Sequence, residues 1–290
     1  MNKPDARLLY KTFKENPNHS VFDHFDGNRY MWYDLFRINY DDTGIPDKEL
    51  MGKLQNDLFF SFRVSVRLVE NGDSHLVSPE NLEGVTGSIE QTSQLIYAYV
   101  SANEKIPDIL LSTVSDRYSK VLDIATYIAG EDFEYKYGIP EILKKKILGN
   151  PELNYEFVTD TIRYHHKLAP MEYLKPIAER PSGSYGVLRT IILTGNSDLE
   201  LPEIFINGVS KEPRLVYAII ENILRNREGT PIPDVLYRGI AKSKGYSHHL
   251  YRLLTKYKME VPKIILDAAR LNANYNENVN YFEGLYKDLS

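Results

Sequence analysis

The chain has 290 residues, 42% hydrophobic and 26% charged, which is ordinary for a water-soluble globular protein and enough to bury a large core. It contains no cysteine, which excludes disulfides, thiolate metal sites and thiol nucleophiles. The net charge of −5 argues against a generally basic nucleic-acid binder. No stretch reaches 18 apolar residues and residues 1–20 lack an apolar signal core, so no membrane association and a cytoplasmic location are expected.

In chain order, residues 5–15 come first and read as an amphipathic helix through Leu8, Leu9 and Phe13. Residues 21–40 are dense in aromatics, with Phe22, Phe25, Tyr30, Trp32, Tyr33, Phe36 and Tyr40. Residues 1–44 read first as an N-terminal cap and second as a partner-binding surface.

From residue 45 a period of about 30 residues sets in. An aliphatic residue or Ala precedes proline and an apolar run follows, as in Ile106-Pro107-Asp108-Ile109-Leu110 and Leu201-Pro202-Glu203-Ile204-Phe205. The prolines are 46, 79, 107, 140, 170, 202, 233 and 262, with gaps of 33, 28, 33, 30, 32, 31 and 29. Pro151, Pro181 and Pro213 each lie eleven residues after a repeat proline, and Tyr155, Tyr185 and Tyr217 fifteen after it.

Proline suits the first turn of a helix, where its missing N–H costs nothing, and a following acid suits the positive end of the helix dipole. Each unit is therefore predicted to open with a short helix A, such as residues 202–210. The second proline is expected to break helix A, because the residue before a proline leaves the α region. Helix B follows, with residues 214–225 placing Leu215, Val216, Ile219, Ile220 and Ile223 on one face. Further B helices are predicted at 118–129, 154–168, 184–194, 247–258 and 275–289. Phe60-Ser61-Phe62-Arg63-Val64-Ser65-Val66-Arg67 alternates like a strand, but in register it falls on helix B, and helix is preferred. The expected fold is all-α, an α-solenoid of about eight two-helix repeats over residues 45–290 behind the cap at 1–44.

The Pro-Glu-Ile-Leu start, second proline and tyrosine of Pro140–Tyr155, with the equivalents at Pro202–Tyr217, resemble HEAT-like α-solenoids and short tandem repeats in uncharacterised phage and giant-virus proteins. The resemblance covers residues 79–290, with units shorter than typical HEAT repeats and no regular Asp/Arg ladder. It implies a scaffold that binds proteins or nucleic acids and carries over no catalytic residue.

Catalytic motifs are absent from the sequence. Glu83-Gly84-Val85-Thr86-Gly87-Ser88 lacks the lysine of a phosphate loop, and Gly183-Ser184-Tyr185-Gly186 is not a nucleophile elbow. The adjacent pairs His165-His166 and His248-His249 diverge by about 100° on a helix and cannot easily share a metal. His19, Asp23, His24 and Asp26 form a small N/O cluster, for which capping and a turn are the preferred roles. Asn18-His19-Ser20 matches a glycosylation sequon and reads as fortuitous without a secretory signal. No metal, no cofactor and no enzymatic activity are expected.

Charge is uneven. Residues 1–90 hold 10 Lys/Arg and 15 Asp/Glu, while residues 91–290 hold 25 of each. Residues 238–263 carry Arg238, Lys242, Lys244, Arg252, Lys256, Lys258 and Lys263 against Glu260 alone, interleaved with Tyr237, Tyr246, Tyr251 and Tyr257. This stretch is a solvated helical face or, in the second reading, a site for phosphates and stacked bases. Lys144-Lys145-Lys146 suits the last turn of an A helix. There are 22 tyrosines, and those at the fifteenth repeat position are expected to pack with wet hydroxyls. Others could line a recognition surface.

The functional expectation is a protein-binding module acting by sequestration or scaffolding, and the resemblance implies a viral protein directed at a host protein. Tyr30, Trp32, Tyr33, Tyr97, Tyr135 and Tyr164 are the candidate protein-contact residues. The alternative is a nucleic-acid binder using Arg238, Lys242, Lys244, Arg252, Lys256 and Lys258. Open repeat ends also allow self-association.

Overall fold

The computed structural model describes residues 6–16, 22, 29–55, 57–130, 135–195, 199–227 and 229–271. Two sequence expectations, the helix at 275–289 and the His19/Asp23/His24/Asp26 cluster, lie outside them. The described residues are all-helical, with no strand. The helices are α1 (Ala6–Glu15), α2 (Arg29–Thr43), α3 (Lys48–Leu54), α4 (Leu58–Glu70), α5 (Pro79–Thr86), α6 (Ile89–Ser101), α7 (Asp108–Val114), α8 (Tyr118–Gly130) and α9 (Glu141–Gly149). They continue with α10 (Pro151–His165), α11 (Met171–Ala178), α12 (Pro181–Leu193), α13 (Glu203–Val209), α14 (Pro213–Asn226), α15 (Asp234–Ala241), α16 (Lys244–Lys256) and α17 (Lys263–Arg270). The chain divides into two compact units, residues 1–146 and 147–290.

Both prolines of the repeat act at helix starts, but not as expected. Pro107, Pro170, Pro202, Pro233 and Pro262 sit one residue before helix A, at the N-cap, with φ between −54° and −65° and ψ between 130° and 149°. Their fixed φ suits the extended cap conformation, and their carbonyls accept the first helical bonds, as Pro202 does from Phe205 (3.0 Å). Pro79 alone follows the expected form, inside the first turn behind the Ser78 cap.

The second proline does not merely end helix A; it opens helix B. Pro151, Pro181 and Pro213 occupy the first turn, and Asn150, Arg180 and Glu212 before them are extended. Helices α10 and α12 therefore start three residues earlier than predicted and α14 one residue earlier, while α16, which has no such proline, starts three residues earlier behind Ser243. Helix α10 also stops at His165, because His166 takes a left-handed φ of 55°, so the helix does not run on to 168. The alternating 60–67 segment is helical, within α4, and Asp57 caps it by accepting from the Phe59 and Phe60 N–H groups.

In unit 1, α1 packs on α2, α2 on α3 and α4, and α4 on α5 and α6; α6 then packs on α7 and α8. One aromatic-rich core joins Phe13, Phe22, Trp32, Phe36 and Tyr40 to Leu50, Leu54, Phe60, Val64 and Leu68. In unit 2, α10, α12, α14 and α16 pack successively on one another, and so do α11, α13, α15 and α17. These two rows bury a mainly aliphatic interior, including Val187, Leu188, Ile191, Ile192, Ile219, Ile220, Ile223, Leu250 and Leu254.

A further periodicity escaped the sequence reading. In each B helix one residue makes the first hydrogen bond back to the cap carbonyl: Ser61, Thr92, Val121, Asn154, Ser184, Val216 and Ser247. All seven are buried, and five are polar. Ser61 Oγ donates to the Gln55 carbonyl (2.7 Å), Thr92 Oγ1 to Val85 (3.2 Å), Ser184 Oγ to Ala178 (3.2 Å) and Ser247 Oγ to Ile240 (3.1 Å). Each accepting carbonyl lies at the end of the preceding A helix, where helical partners run out. Asn154 instead reaches forward, its Nδ2 donating to the Tyr173 carbonyl (2.9 Å). The next A helix packs directly over this tie. A Cβ on Gly208 would lie 2.0 Å from Ser184 Oγ and 2.6 Å from the Ala178 oxygen.

Candidate functional site

The six aromatic candidates fall in different places. Tyr30, Trp32 and Tyr33 lie on α2, Tyr97 on α6 and Tyr135 beyond α8, all in unit 1, whereas Tyr164 ends α10 in unit 2. Trp32 is a core residue, 2% exposed, with its ring 5.6 Å from both Phe13 and Phe22. Tyr135 is 7% exposed. Its hydroxyl donates to the Glu104 carbonyl (2.8 Å) and accepts from the Ile106 N–H (3.3 Å). Burial pushes that hydroxyl up to about 12. Both rings fill the interior, which corrects their assignment as surface groups: large rings flanked by apolar neighbours gain more from burial than from exposure.

Tyr30 remains 60% exposed, its ring 5.1 Å from that of Phe60. Half-buried Tyr33 has the Arg63 guanidinium 5.6 Å from its ring. Burial raises its pKa. Tyr97 packs edge-on against Tyr127 at 4.8 Å and lines a groove of about 440 Å³ between α4 and α6, with Phe62, Val66, Gln94 and Ser101.

At the C-terminal ends of α10 and α12, which pack on each other, Tyr164 is 65% exposed and Leu193 51%. Leu168 follows α10 and is also exposed. Leu193 was not anticipated from sequence. Its signal was available, because it falls in the last turn of a B helix where other copies carry Arg163, Arg225 and Lys256. A cavity of about 560 Å³ opens at the other end of the same helices, lined by Asn150, Glu152, Tyr155, Pro176 and Arg180.

The basic candidates do not form one surface. Arg238 and Lys242 are exposed on and just after α15, in the row of A helices. Arg252 and Lys256 are exposed on α16, in the row of B helices. Lys258 follows α16 with a φ of 54° and is exposed. Lys244 opens α16, and its side chain lies outside the described residues. The reason is the period itself: a stretch of 26 residues spans an A helix and a B helix, whose outer stripes belong to different rows.

On α16, Gly245, His249, Arg252 and Lys256 share one exposed stripe. His248 beside them is buried, and burial, with the charges of Arg252 and His249, holds its pKa below the ordinary value. His249 lies 6.3 Å from Tyr246 and 6.4 Å from Tyr217 of α14. Tyr217 and Tyr246 are 6.2 Å apart.

Among the described residues no group of three or more His, Asp or Glu side chains could hold a metal. No described helix is long and apolar enough to cross a membrane. The described residues of each unit are thus all-helical, with helices packed in succession on one another. No protein-family model matches the chain, and no curated protein or solved structure matches it.

Proposed function

We propose that the helix pairs are solenoid repeats of the HEAT-like kind, about eight in the chain, with residues 1–44 as their cap. The protein is a non-enzymatic module that binds a protein partner by scaffolding or sequestration. The repeat reading is supported by recurring devices: the N-cap proline of helix A, the first-turn proline of helix B and the buried Ser, Thr or Asn behind it. Stacked pairs leave outer helix stripes free to serve as a contact surface.

The observation that carries the functional reading is the exposure of Tyr164, Leu168 and Leu193 at or just after the C-terminal ends of α10 and α12, helices that pack on each other. Large apolar side chains left exposed at neighbouring helix ends are where a contact site is sought first. Tyrosine adds a rigid ring and a hydroxyl suited to interfaces. The resemblance stated above makes a viral chain holding a host protein in the cytoplasm the form proposed.

Affinity capture with the wild-type chain and a Tyr164→Ala/Leu193→Ser variant tests this. A stoichiometric protein partner recovered by wild type and lost with the variant is expected. Equal recovery by both would place the contact elsewhere.

A further inference from the structure

We propose that the outer face of α14 and α16 is a contact site for single-stranded nucleic acid. Arg252 and Lys256 bind phosphates there, and Tyr246 and His249 offer ring faces to bases. This activity is separate from the protein contact proposed at α10 and α12.

The charge on this face is uncompensated. Arg252 and Lys256 stand one helical turn apart, both exposed, and neither makes an ion pair among the described residues. The α16 sequence, KGYSHHLYRLLTK, contains no carboxylate. Arg214 on α14 is exposed and adds a third cation. The carboxylate of Glu221 on α14 is engaged by Arg225, so that pair adds no net charge. Glu260 lies past the end of α16, ahead of α17. Arg238 and Lys242 take no part, because α15 belongs to the other row.

The rings point the same way, because this pair breaks the packing pattern of its neighbours. Tyr155 of α10 lies over Gly186 of α12, where a Cβ would come 2.1 Å from the tyrosine hydroxyl. One pair further on, the residue equivalent to Gly186 is Ala218. In α16 it is His249, an exposed ring rather than a small residue beneath a tyrosine. Tyr217 therefore meets His249 ring to ring at 6.4 Å. Packing alone calls for a small side chain here. An exposed ring, His249, on the same stripe as two cations, with the half-buried Tyr246 against it, suits bases and phosphates together, because every base has a stacking face and every linkage a charge. An acidic peptide would use the cations and leave the rings idle.

Fluorescence anisotropy of the full-length protein with fluorescein-labelled oligo-dT and oligo-U tests the site. Binding is expected, weakening roughly tenfold between about 50 mM and about 200 mM salt, as two or three phosphate contacts require. Arg252→Gln/Lys256→Gln should weaken it roughly tenfold and flatten the salt dependence. Tyr246→Leu should weaken it roughly tenfold and leave the salt dependence unchanged. The exposed pair Arg238→Gln/Lys242→Gln should bind like wild type. Circular dichroism on each variant verifies that the helices persist. The proposal is overturned by three results: absence of oligonucleotide binding, equal effects from the α15 and α16 pairs, or poly-glutamate competing with oligo-dT on equal terms. Capture of a protein through Tyr164 and Leu193 bears on none of these.

Discussion

Around Trp32 the interior of unit 1 is made of rings, with Phe13, Phe22, Phe36 and Phe60 among its buried side chains. Around Ile191 the interior of unit 2 is made of branched aliphatics, with Ser184 tied to the Ala178 carbonyl and Gly208 flush against the tie. Rings fill irregular space by edge and face contacts, so helices of unequal length such as α1 and α2 can share one core. Small side chains and short ties demand that each helix return to the same place, which a regular stack requires. The same tie, with Gly84 close against Ser61 Oγ, already appears at α4 and α5 in unit 1, so the difference separates α1 and α2 from the helix pairs that follow them.

The largest effect should come from truncating the aromatic interior. Trp32→Ala removes a fully packed ring, and a loss of about 3–5 kcal/mol is expected from urea unfolding followed by circular dichroism. A loss below about 1 kcal/mol would show that the ring cluster is not the core of unit 1.

Next comes the close approach in unit 2. Gly208→Ala should cost about 1–3 kcal/mol, because the new methyl meets Ser184 Oγ and a backbone oxygen that cannot move aside cheaply. Gly52→Ala in α3 has nothing within 4 Å of the new Cβ and should be neutral or stabilising by up to about 1 kcal/mol. Equal effects at the two glycines would remove the distinction between a flush contact and an open one.

A smaller effect belongs to Asp47, which caps α3 by accepting from the Glu49 and Leu50 N–H groups and pairs with Lys14 at 2.8 Å. Burial alone would raise its pKa, but the Lys14 bond and the two backbone donors override it and hold the carboxyl below its ordinary value. Its contribution is therefore complete above the unfolded carboxylate pKa and is lost as pH falls through the lower folded value. Asp47→Ala should cost about 1 kcal/mol at neutral pH, with the gap to wild type closing in acid. A gap independent of pH would rule the carboxylate out as the cause.

The smallest effect is expected from His248, whose folded pKa is depressed by burial and by Arg252. The unfolded chain then binds the proton more readily, so stability falls as pH drops below about 6.5. Wild type should lose stability between about pH 7.5 and about pH 5.5, and His248→Gln should lose less. An identical pH dependence in the two proteins would contradict this assignment.

The helices were legible in the sequence because Pro-acid starts and apolar spacing are local signals, as at Pro202-Glu203. Their exact starts were not, because Pro213 can either end one helix or begin the next, and the extended Glu212 decides it. The ties at Ser61, Thr92, Ser184 and Ser247 were hidden in plain residue types, since a buried serine looks like a surface one until its acceptor is known. For the same reason Trp32 and Tyr135 read as surface aromatics although the fold buries them. The basic stretch could not be divided into faces from sequence alone, because it spans two helices, and Lys242 and Arg252 lie in different rows.

The most direct test of the stacked-repeat account is hydrogen exchange on Gly208→Ala. If each helix pair is stabilised mainly by its immediate neighbours, protection should fall most in α11–α14 and least in α17 within unit 2. An equal loss across every helix of unit 2 would contradict the account and mark that unit as a single undivided core.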